Sequence, residues 1–370
     1  MGTNSVTTDK VSAQRHVVVI GAGYAGMNAA LRAGKTSRVT LIAPEDRFLN
    51  RVRQHEIAAG HQEHRPSFAR LSRGRDVTHL QARVTELDLA ARKVFTDTGT
   101  TIGYDTLVYA LGSRTAYHGV EGAAEYAIPM ERAAELRDRI AGAARPGTVA
   151  VVGGGATGIE LAAELAEAHP GWRIRIVSAG EVGGWFSAKG RAAIARCFER
   201  LHVDVHEQAR VVAVEAGALR TTAGPIEADL VAWAASFEVS GLAAEAGLAV
   251  DEAGRALVDS RLRSVSHPDV YVVGDAATVT VDGIGTLRMG CATASPMGKY
   301  VGKALQAVVD GKEVKPYSYG YAVQCLSLGR KSGLLQLIQK DDSMKEHAYT
   351  GRVGKLTKAG ICWAIVATLR

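Results

Sequence analysis

The sequence has 370 residues, a length that allows two or three domains with sizeable hydrophobic cores. Its 44 basic and 38 acidic residues leave a net charge of +6, spread along the chain without a basic helix or an aromatic-basic module, which argues against nucleic acid as a partner. The four cysteines form no CxxC pair, so neither a zinc site nor a local redox disulfide is predicted.

The first structured unit is a buried strand over residues 16–20, a glycine turn at residues 21–26 and the helix that follows. Each glycine of the turn has its own use. Gly21 allows a tight turn, Gly23 lets the main chain approach a pyrophosphate, and Gly26 lets the helix pack closely on the strand. The free amides at the helix start then hold the anion.

The second strand of this unit, residues 38–42, ends without the acid that usually binds the ribose hydroxyls of a dinucleotide. The expected position holds Ala43, and Glu45 and Asp46 lie just beyond it. Further along, the sequence predicts a strand over residues 77–84, a hairpin over 93–104, a buried strand over 106–110 and an exposed helix over 130–144.

A second glycine turn, residues 153–158, follows the strand 149–152 and opens another helix. Gly153, Gly155 and Gly158 repeat the spacing of the first turn. One such match is weak, but two in the same strand-to-helix context predict two dinucleotide sites.

The ribose acid of the second unit is also replaced. Ser178 stands at the expected position, with Glu181 further on. Because an acid there would repel a 2′-phosphate, its replacement leaves the choice between NADH and NADPH open.

The α/β pattern continues to the C-terminus. The sequence predicts a helix over 187–201 with Ser187 as N-cap, strands near 203–207 and 211–215, a parallel strand over 229–235, and a strand over 270–273 that ends at Gly274-Asp275. A helix is predicted from near Ala294 to about residue 310, with Pro296 in its first turn. Strands over 322–328 and 333–338 and one or two terminal helices are expected to follow.

Four segments resemble the pyridine nucleotide-disulfide oxidoreductase superfamily: residues 21–26, 106–113, 153–160 and 270–275. Within it, residues 152–160, 229–235 and 327–330 are most similar to type II NADH dehydrogenases. The resemblance covers about residues 15–335. It implies an α/β protein with two nested Rossmann-like domains, for FAD and NAD(P)H, and a small C-terminal α+β region.

The order of the motifs predicts that one dinucleotide fold is inserted in the other, so that the strand before Gly274-Asp275 returns to the first sheet. The expected FAD-binding domain comprises residues 15–115 and 256–311, and the NAD(P)H-binding domain comprises residues 116–255. Residues 312–370 are expected to form an interface or membrane-proximal region, and residues 1–14 a flexible tail.

The resemblance also implies which residues bind the cofactors. Those implied for FAD are Gly21, Gly23, Tyr24, Ala25, Gly26, Ala43, Arg51, Val84, Ala110, Gly112, Gly274, Asp275 and Ala292. Those implied for the nicotinamide nucleotide are Gly153, Gly155, Thr157, Gly158, Ser178 and Ala235. Glu160, the candidate catalytic residue, would line the nicotinamide end, and its alternative is an acid that favours the helix dipole. Arg51 is a candidate on its own chemistry, as a guanidinium that steers FAD phosphate or substrate, and its alternative is a solvated loop.

The chain departs from the family in two further places. Residues 45–65 contain no cysteine pair, which disfavours a dithiol reductase. Quinone reductases of the family carry Ala-Gln at the start of the helix after Gly-Asp, where this chain has Ala294-Ser295-Pro296-Met297. An amide that would contact a quinone carbonyl is therefore missing.

Other polar clusters have simpler explanations. His55, His61 and His64 are close in sequence but match no helical metal-binding pair, so no metal is predicted. Cys291 and Cys325 either meet near the flavin, as in sulfide-oxidising relatives, or are small buried hydrophobes, which is the favoured interpretation.

The apolar segment 359–369 is too short to span a bilayer. Lys355 and Lys358 precede it and Trp363 lies within it, so it either rests at a membrane interface or forms a core helix or a homodimer contact. Since no secretory segment is predicted and the cysteines show no paired motif, we expect a cytoplasmic protein, with a peripheral position on the inner face of the membrane as the alternative.

The leading hypothesis is an FAD-dependent NAD(P)H dehydrogenase that passes electrons from a nicotinamide through flavin to a quinone or quinone-like small molecule. Such hydride transfer needs no protein nucleophile, because the cofactor supplies the reactivity. The alternatives are a biosynthetic flavin oxidoreductase acting on a specialised metabolite, a reductase that delivers electrons to a protein partner, and a non-catalytic flavin-binding protein.

Overall fold

A computed structural model of the chain describes residues 14–62 and 65–369. Nearly all of the tail predicted over residues 1–14, and His64, lie outside the described residues. The described chain contains two five-stranded parallel sheets, each with one of the glycine turns at its carboxyl edge, and several smaller sheets, including an antiparallel one near its end.

The first part of the chain alternates strands and short helices. Its elements are β1 (His16–Ile20), α1 (Tyr24–Ala33), β2 (Arg38–Ala43), α2 (Gln54–Ala58), α3 (Phe68–Leu71), β3 (Val77–Gln81), β4 (Val84–Asp88), β5 (Lys93–Thr96), β6 (Thr101–Gly103), β7 (Thr106–Tyr109) and β8 (Ser113–Thr115).

The middle part repeats the pattern with longer helices. Its elements are α4 (Ala123–Tyr126), β9 (Ala127–Pro129), α5 (Ala133–Ala141), β10 (Thr148–Val152), α6 (Ala156–Ala168), β11 (Arg173–Val177), α7 (Ala188–Leu201), β12 (Asp204–His206), β13 (Val211–Glu215), β14 (Ala218–Thr221), β15 (Gly224–Glu227), β16 (Leu230–Trp233), β17 (Phe237–Val239), α8 (Leu242–Glu245) and β18 (Ala256–Leu257).

The last part returns to the first sheet and then forms a region of its own. Its elements are β19 (Val270–Val272), β20 (Ala277–Thr278), β21 (Thr280–Val281), β22 (Gly285–Thr286), α9 (Cys291–Val309), β23 (Val323–Ser327), β24 (Gly333–Ile338), β25 (Met344–Thr350) and α10 (Gly351–Ala367).

The first parallel sheet has the order β19-β7-β1-β2-β3, and the second has the order β12-β11-β10-β16-β9. The second sheet lies between β7 and β19 in sequence, so one fold is inserted in the other, as the motif order predicts. The chain crosses between them along β8 and β17, which pair antiparallel. Both sheets have continuously apolar central strands because they are covered on both faces.

The predicted strand over residues 77–84 was wrong in its extent. β3 ends at Gln81, and β4 begins an antiparallel sheet with β5 and β6. The hydrogen bonds explain the break. Ala82 still donates to the Ala43 carbonyl, whereas the amide of Arg83 bonds to the Asp97 carboxylate and the Arg83 carbonyl accepts from the Asp97 amide. The chain therefore changes sheets between these two residues.

The predicted exposed helix over residues 130–144 is shorter and partly buried. α5 covers Ala133–Ala141 after a 3-10 turn at Met130–Arg132, and its face formed by Ala133, Leu136 and Ile140 is buried.

The C-terminal strands are confirmed, but β25 was not predicted, and the terminal helix begins at Gly351. The N-cap prediction for Ser187 is confirmed, since its Oγ accepts from the Gly190 amide at 3.2 Å.

The C-terminal sheet is attached to the inserted fold through a fully buried glutamine. Gln336 on β24 accepts a hydrogen bond from Ser187 Oγ at 2.7 Å, and its Nε2 donates to backbone carbonyls of β24 and β25, including that of His347 at 3.2 Å. Since Ser187 caps α7, this one amide joins the start of that helix to the antiparallel sheet. The start of α10 is thereby held next to the inserted fold.

Candidate functional site

The first glycine turn is closed on the side that faces the sheet. Gly21 has φ +94°, and a Cβ there would collide with the carbonyl of Ala110 at the end of β7. A Cβ on Gly26 would collide with the carbonyl of Gly21, so α1 lies directly against the turn. These two positions need glycine for packing, as the motif predicts.

Gly23 differs from its neighbours because it borders open space. It is the N-cap of α1, with φ −72° and ψ −167°, and a Cβ there would meet nothing within 4 Å. No side chain caps the first turn of α1. The amides at this helix start are therefore available to an anion, which is what a pyrophosphate requires.

The second turn repeats this geometry. Gly153 has φ +123° and touches the backbone of Ala234 and Ala235, and a Cβ on Gly158 would collide with the Gly153 carbonyl. Gly155, the N-cap of α6, has φ −76° and again borders open space without a side-chain cap. Each glycine turn and the uncapped helix amides beside it thus form an open anion-binding cradle. The two cradles lie at the carboxyl edges of the two parallel sheets.

Asp275 connects the first sheet to the start of α9. Its Oδ2 accepts from Ser113 Oγ at 2.6 Å, and its Oδ1 accepts from the Gly290 amide at 2.8 Å. Gly290 is the N-cap of α9, which no side chain caps. Asp275 thereby fixes the positive end of this helix beside the turn at Gly274 and Gly112, which both have positive φ.

The structure corrects the predicted start of this helix. α9 begins at Cys291 instead of near Ala294, so Pro296 lies beyond the first turn. Proline has no amide for the carbonyl of Ala292, four residues earlier, and that carbonyl instead accepts from the Tyr319 hydroxyl at 3.1 Å. The helix therefore tolerates the proline through a partner from the C-terminal region.

Close helix packing places α9 over the first turn. A Cβ on Gly298 would collide with the backbone of Ala25, which is the second residue of α1. The fully buried Asn28 donates to Ser295 Oγ at 3.1 Å. The first glycine turn, α1 and α9 are therefore packed tightly against one another.

Glu160 lies at the start of α6 in a buried ionic cluster. Its Oε1 accepts from Lys358 Nζ and from the Ser327 amide, both at 2.8 Å, and its Oε2 lies 3.7 Å from His55 Nδ1. The side chains of Glu160 and Lys358 are 9% and 14% exposed. Burial alone would lower the pKa of Lys358, but the Glu160 carboxylate raises it above its usual value, so the lysine is charged.

A histidine and three cysteines near this ion pair are uncharged. Burial lowers the pKa of His55, whose Nε2 has no hydrogen-bond partner among the described residues. Burial also raises the pKa of Cys291 to about 11 and of Cys325 to about 12, and it raises that of Cys362. All three are therefore neutral thiols near pH ~7, which favours their interpretation as small buried hydrophobes.

Glu164 lies one helical turn after Glu160 and is fully buried. His61 Nε2 lies 3.0 Å from its Oε1, and Arg330 Nε lies 3.6 Å from the same oxygen. Burial raises the pKa of Glu164 to about 7, although the Arg330 charge opposes this. A carboxyl that titrates near neutral pH makes stability depend on pH.

Replacing Glu164 with glutamine is therefore expected to stabilise the protein above neutral pH. The native carboxyl retains a proton that the unfolded chain releases from about pH 4.5 upward, so wild-type stability falls as pH rises through about 7. Arg330 keeps an ion pair with Glu56 at 3.2 Å in the variant. Thermal unfolding should show similar stabilities at about pH 5 and a more stable variant at about pH 8. A more stable wild type at the higher pH would refute the assignment.

The remaining predicted site residues come from several elements. Tyr24 donates to Asn50 Oδ1 at 2.5 Å, Ala43 is buried at the end of β2, and Val84 begins β4 and pairs with Thr96. Thr157 lies in the first turn of α6. Arg51 donates to the Ser113 carbonyl at 2.6 Å and to Glu131 at 3.0 Å. Its guanidinium is therefore already hydrogen-bonded within the protein.

Sequence reasoning did not single out His55, Ser327 and Lys358 as one site. The three come from α2, β23 and α10 and meet only around Glu160. The one available signal was the position of Lys358 directly before an apolar segment, where a charge that ends up buried needs a partner.

Over residues 14–62 and 65–369, no group of three or more His, Cys, Asp or Glu side chains is arranged to hold a metal ion. Within the same ranges, no helix has both the length and the apolar character needed to cross a bilayer. Cys197, Cys291, Cys325 and Cys362 are all free thiols.

The chain belongs to the pyridine nucleotide-disulphide oxidoreductase family, whose model matches residues 15–298. It is 30% identical over 318 residues to an NADH dehydrogenase-like protein of Mycobacterium tuberculosis, covering 77% of this chain and 78% of the relative. It is also 30% identical over 358 residues to a type II NADH:quinone oxidoreductase of the same organism, covering 83% and 76%. The resemblance inferred from the motifs is confirmed.

Solved structures share the same fold. NDH2 from Plasmodium falciparum, determined in complex with NADH, matches with a TM-score of 0.80 and 14% identity over 96% of this chain and 97% of that chain. A sulfide:quinone oxidoreductase from Aquifex aeolicus matches with a TM-score of 0.80 and 17% identity over 96% and 91%. The predicted fold class of nested Rossmann-like domains is therefore confirmed.

Proposed function

We propose that this chain is an FAD-dependent NAD(P)H dehydrogenase that passes electrons from a nicotinamide to a quinone or quinone-like small molecule. The observation that carries the proposal is the pair of open cradles at Gly23 and Gly155, one at each parallel sheet. A protein with two dinucleotide sites in nested folds can bring two cofactors together. The names of the relatives support a quinone as acceptor.

The residues of the first turn fit FAD. Gly21 and Gly26 allow the tight turn and its close packing, whereas Gly23 leaves open space for a pyrophosphate beside the uncapped amides of α1. When bound, FAD would supply the redox chemistry of the reaction. The chain itself offers the positive end of α9, fixed by Asp275, as the place where negative charge is favoured.

The residues of the second turn fit the nicotinamide nucleotide in the same way, with Gly155 open and α6 uncapped. Glu160 remains the proposed catalytic residue at the nicotinamide end. Its ion pair with Lys358 fixes the carboxylate, so it is oriented before any ligand arrives.

The acceptor is tested by reoxidation. The protein is first reduced anaerobically with NADH or NADPH and then mixed with a water-soluble quinone, with ferredoxin, or with buffer alone. We expect rapid return of the flavin colour with the quinone and slow return with the other two. Rapid reoxidation by ferredoxin with slow quinone turnover would replace the proposal by electron delivery to a protein partner.

We further propose that α10 contacts the membrane surface. Leu356 and Trp363 are 69% and 67% exposed and share one helix face with the exposed Val353. Arg352 and Lys355 are exposed on the same helix and can approach anionic headgroups. An apolar face with basic neighbours and no protein cover matches a helix that lies in the interface.

Replacing Leu356 with aspartate is expected to reduce sedimentation of the protein with anionic lipid vesicles several-fold, because a charge would enter the apolar layer. A matched control is Val308→Asp, which changes an exposed apolar residue at the end of α9. Equal sedimentation of wild type and both variants would contradict the proposal, and a dimer that L356D dissociates would assign this face to a subunit contact.

A further inference from the structure

The inserted fold lacks the usual ribose-binding acid, and the structure shows what occupies its place. Ser178, directly after β11, is buried, and its Oγ lies against Gly154, where a Cβ would collide with it. The serine side chain therefore packs under the glycine turn. A ribose above this turn needs another acceptor for its hydroxyls.

The loop after the neighbouring strand β12 wraps around Ser178. The Ser178 amide donates to the His206 carbonyl at 2.8 Å, and the Ser178 carbonyl accepts from the Ala209 amide at 2.8 Å. Glu207 and Gln208 are held between these two bonds, and Gln208 adopts a left-handed φ of +53°. This loop therefore places Glu207 beside the position where the acid is missing.

The Glu207 carboxylate is bonded to the segment that lies against the second glycine turn. Its Oε1 accepts from the Val182 amide at 2.6 Å. Val182 and Gly183 cover the glycine turn, since a Cβ on Gly154 would lie 3.2 Å from Val182 Cα and the Gly183 amide donates to the Gly154 carbonyl at 3.0 Å. The other carboxylate oxygen has no partner among the described residues, and the side chain is exposed.

Glu181, the acid that follows Ser178 in sequence, is placed differently. It is exposed and forms an ion pair with Arg191 at 2.8 Å. Its charge is therefore already balanced, and Arg191 is engaged as well. Of the two acids, Glu207 is the one that combines an unpaired oxygen with a bond to the segment over the turn.

We propose that Glu207 supplies, from the end of β12, the carboxylate that the end of β11 lacks, and that it binds the adenosine ribose of the nicotinamide nucleotide. This inference rests on the proposed function of the second turn. A carboxylate accepts hydrogen bonds from both ribose hydroxyls and repels a 2′-phosphate. The chain is therefore selective for NADH over NADPH, although Ser178 alone would permit either.

The test measures binding of nucleotide fragments that contain no nicotinamide. Dissociation constants of ADP-ribose and of 2′-phospho-ADP-ribose are determined by calorimetry for the full-length flavoprotein, for Glu207→Gln and for the control Glu181→Gln. Glutamine keeps an oxygen for the Val182 amide, so the loop is preserved. We expect wild type and E181Q to prefer ADP-ribose by at least about tenfold, and E207Q to lose about tenfold of that preference.

An unchanged preference in E207Q would overturn the inference, as would an equal loss in E181Q. The readout is independent of electron transfer. If ADP-ribose binds with the expected selectivity but neither NADH nor NADPH reduces the flavin, the proposed dehydrogenase function fails while the role of Glu207 stands. If both nucleotides reduce the flavin equally well and E207Q changes no preference, the dehydrogenase function stands and the role of Glu207 fails.

Discussion

A Gly23→Asp variant is expected to fold normally and to be purified without FAD. Gly23 has a backbone conformation open to any residue, and its Cβ would enter free space. Aspartate is also a good N-cap, so it would satisfy the amides of α1 itself and place a negative charge where the pyrophosphate is proposed to lie. Two unit charges ~4 Å apart interact by about 4 kcal/mol at an effective dielectric constant of about 20, which corresponds to about a thousandfold weaker binding.

Two further variants make this result specific. Gly23→Asn has the same shape without the charge and is expected to retain more FAD than G23D. Gly155→Asp introduces the same change in the second cradle, whose Cβ position is equally open. It should keep its flavin and lose reduction by the nicotinamide. Flavin content is measured by absorbance after purification, and folding by circular dichroism.

The assignment of the two cradles would be wrong if G23D kept its flavin, or if G155D lost flavin while G23D retained it. Substitutions at Gly21 or Gly26 are less informative. They would collide with the backbone of Ala110 or Gly21 and disturb the fold itself.

A Lys358→Met variant is expected to lower the free energy of unfolding by about 3–5 kcal/mol, because it leaves the Glu160 carboxylate buried without its cation. The two side chains are almost enclosed, and the ammonium lies 2.8 Å from the carboxylate. The Ser327 amide would remain as a partner of Glu160 but carries no charge. Urea unfolding gives the difference directly.

The double variant with Glu160→Gln is expected to recover much of the loss, since the unpaired charge is then removed. Lys312→Met is the matched control, because Lys312 pairs with Asp310 at the same distance of 2.8 Å but is largely exposed. Its loss should cost less than about 1 kcal/mol. Similar losses in K358M and K312M would show that the Glu160 pair is not buried as described.

The sequence predicts the two cradles well because their glycines are required locally. Gly21 and Gly153 need positive φ, and Gly26 and Gly158 have no room for a Cβ. These demands arise within a few residues of each strand end and are therefore visible in the spacing alone. The N-cap at Ser187 is predictable for the same reason.

β25 was missed because its burial gives little pattern. Among Met344–Thr350 only Ala348 is buried, so the strand shows no alternation of apolar and polar residues. Its pairing partner β24 is recognisable from the apolar run Gly333–Ile338. Backbone hydrogen bonds to β24 therefore define this strand, and its side-chain pattern does not predict it.

The ionic cluster and the ribose loop depend on contacts between distant parts of the chain. Lys358 lies more than half the length of the chain after Glu160, and nothing in the spacing joins them. Glu207 reaches the end of β11 only because β12 pairs beside that strand. Such contacts depend on which strands are neighbours in the sheets, and sequence motifs do not specify that in detail.

FAD on the first turn is proposed to be reduced by a nicotinamide nucleotide on the second. An anaerobic titration of the purified protein with NADH, followed by visible absorbance, tests it most directly. We predict a yellow protein whose flavin band disappears on addition of stoichiometric NADH in wild type and persists in G155D. A protein that stays colourless with excess FAD, or a flavin that excess NADH and NADPH leave oxidised, would contradict the account.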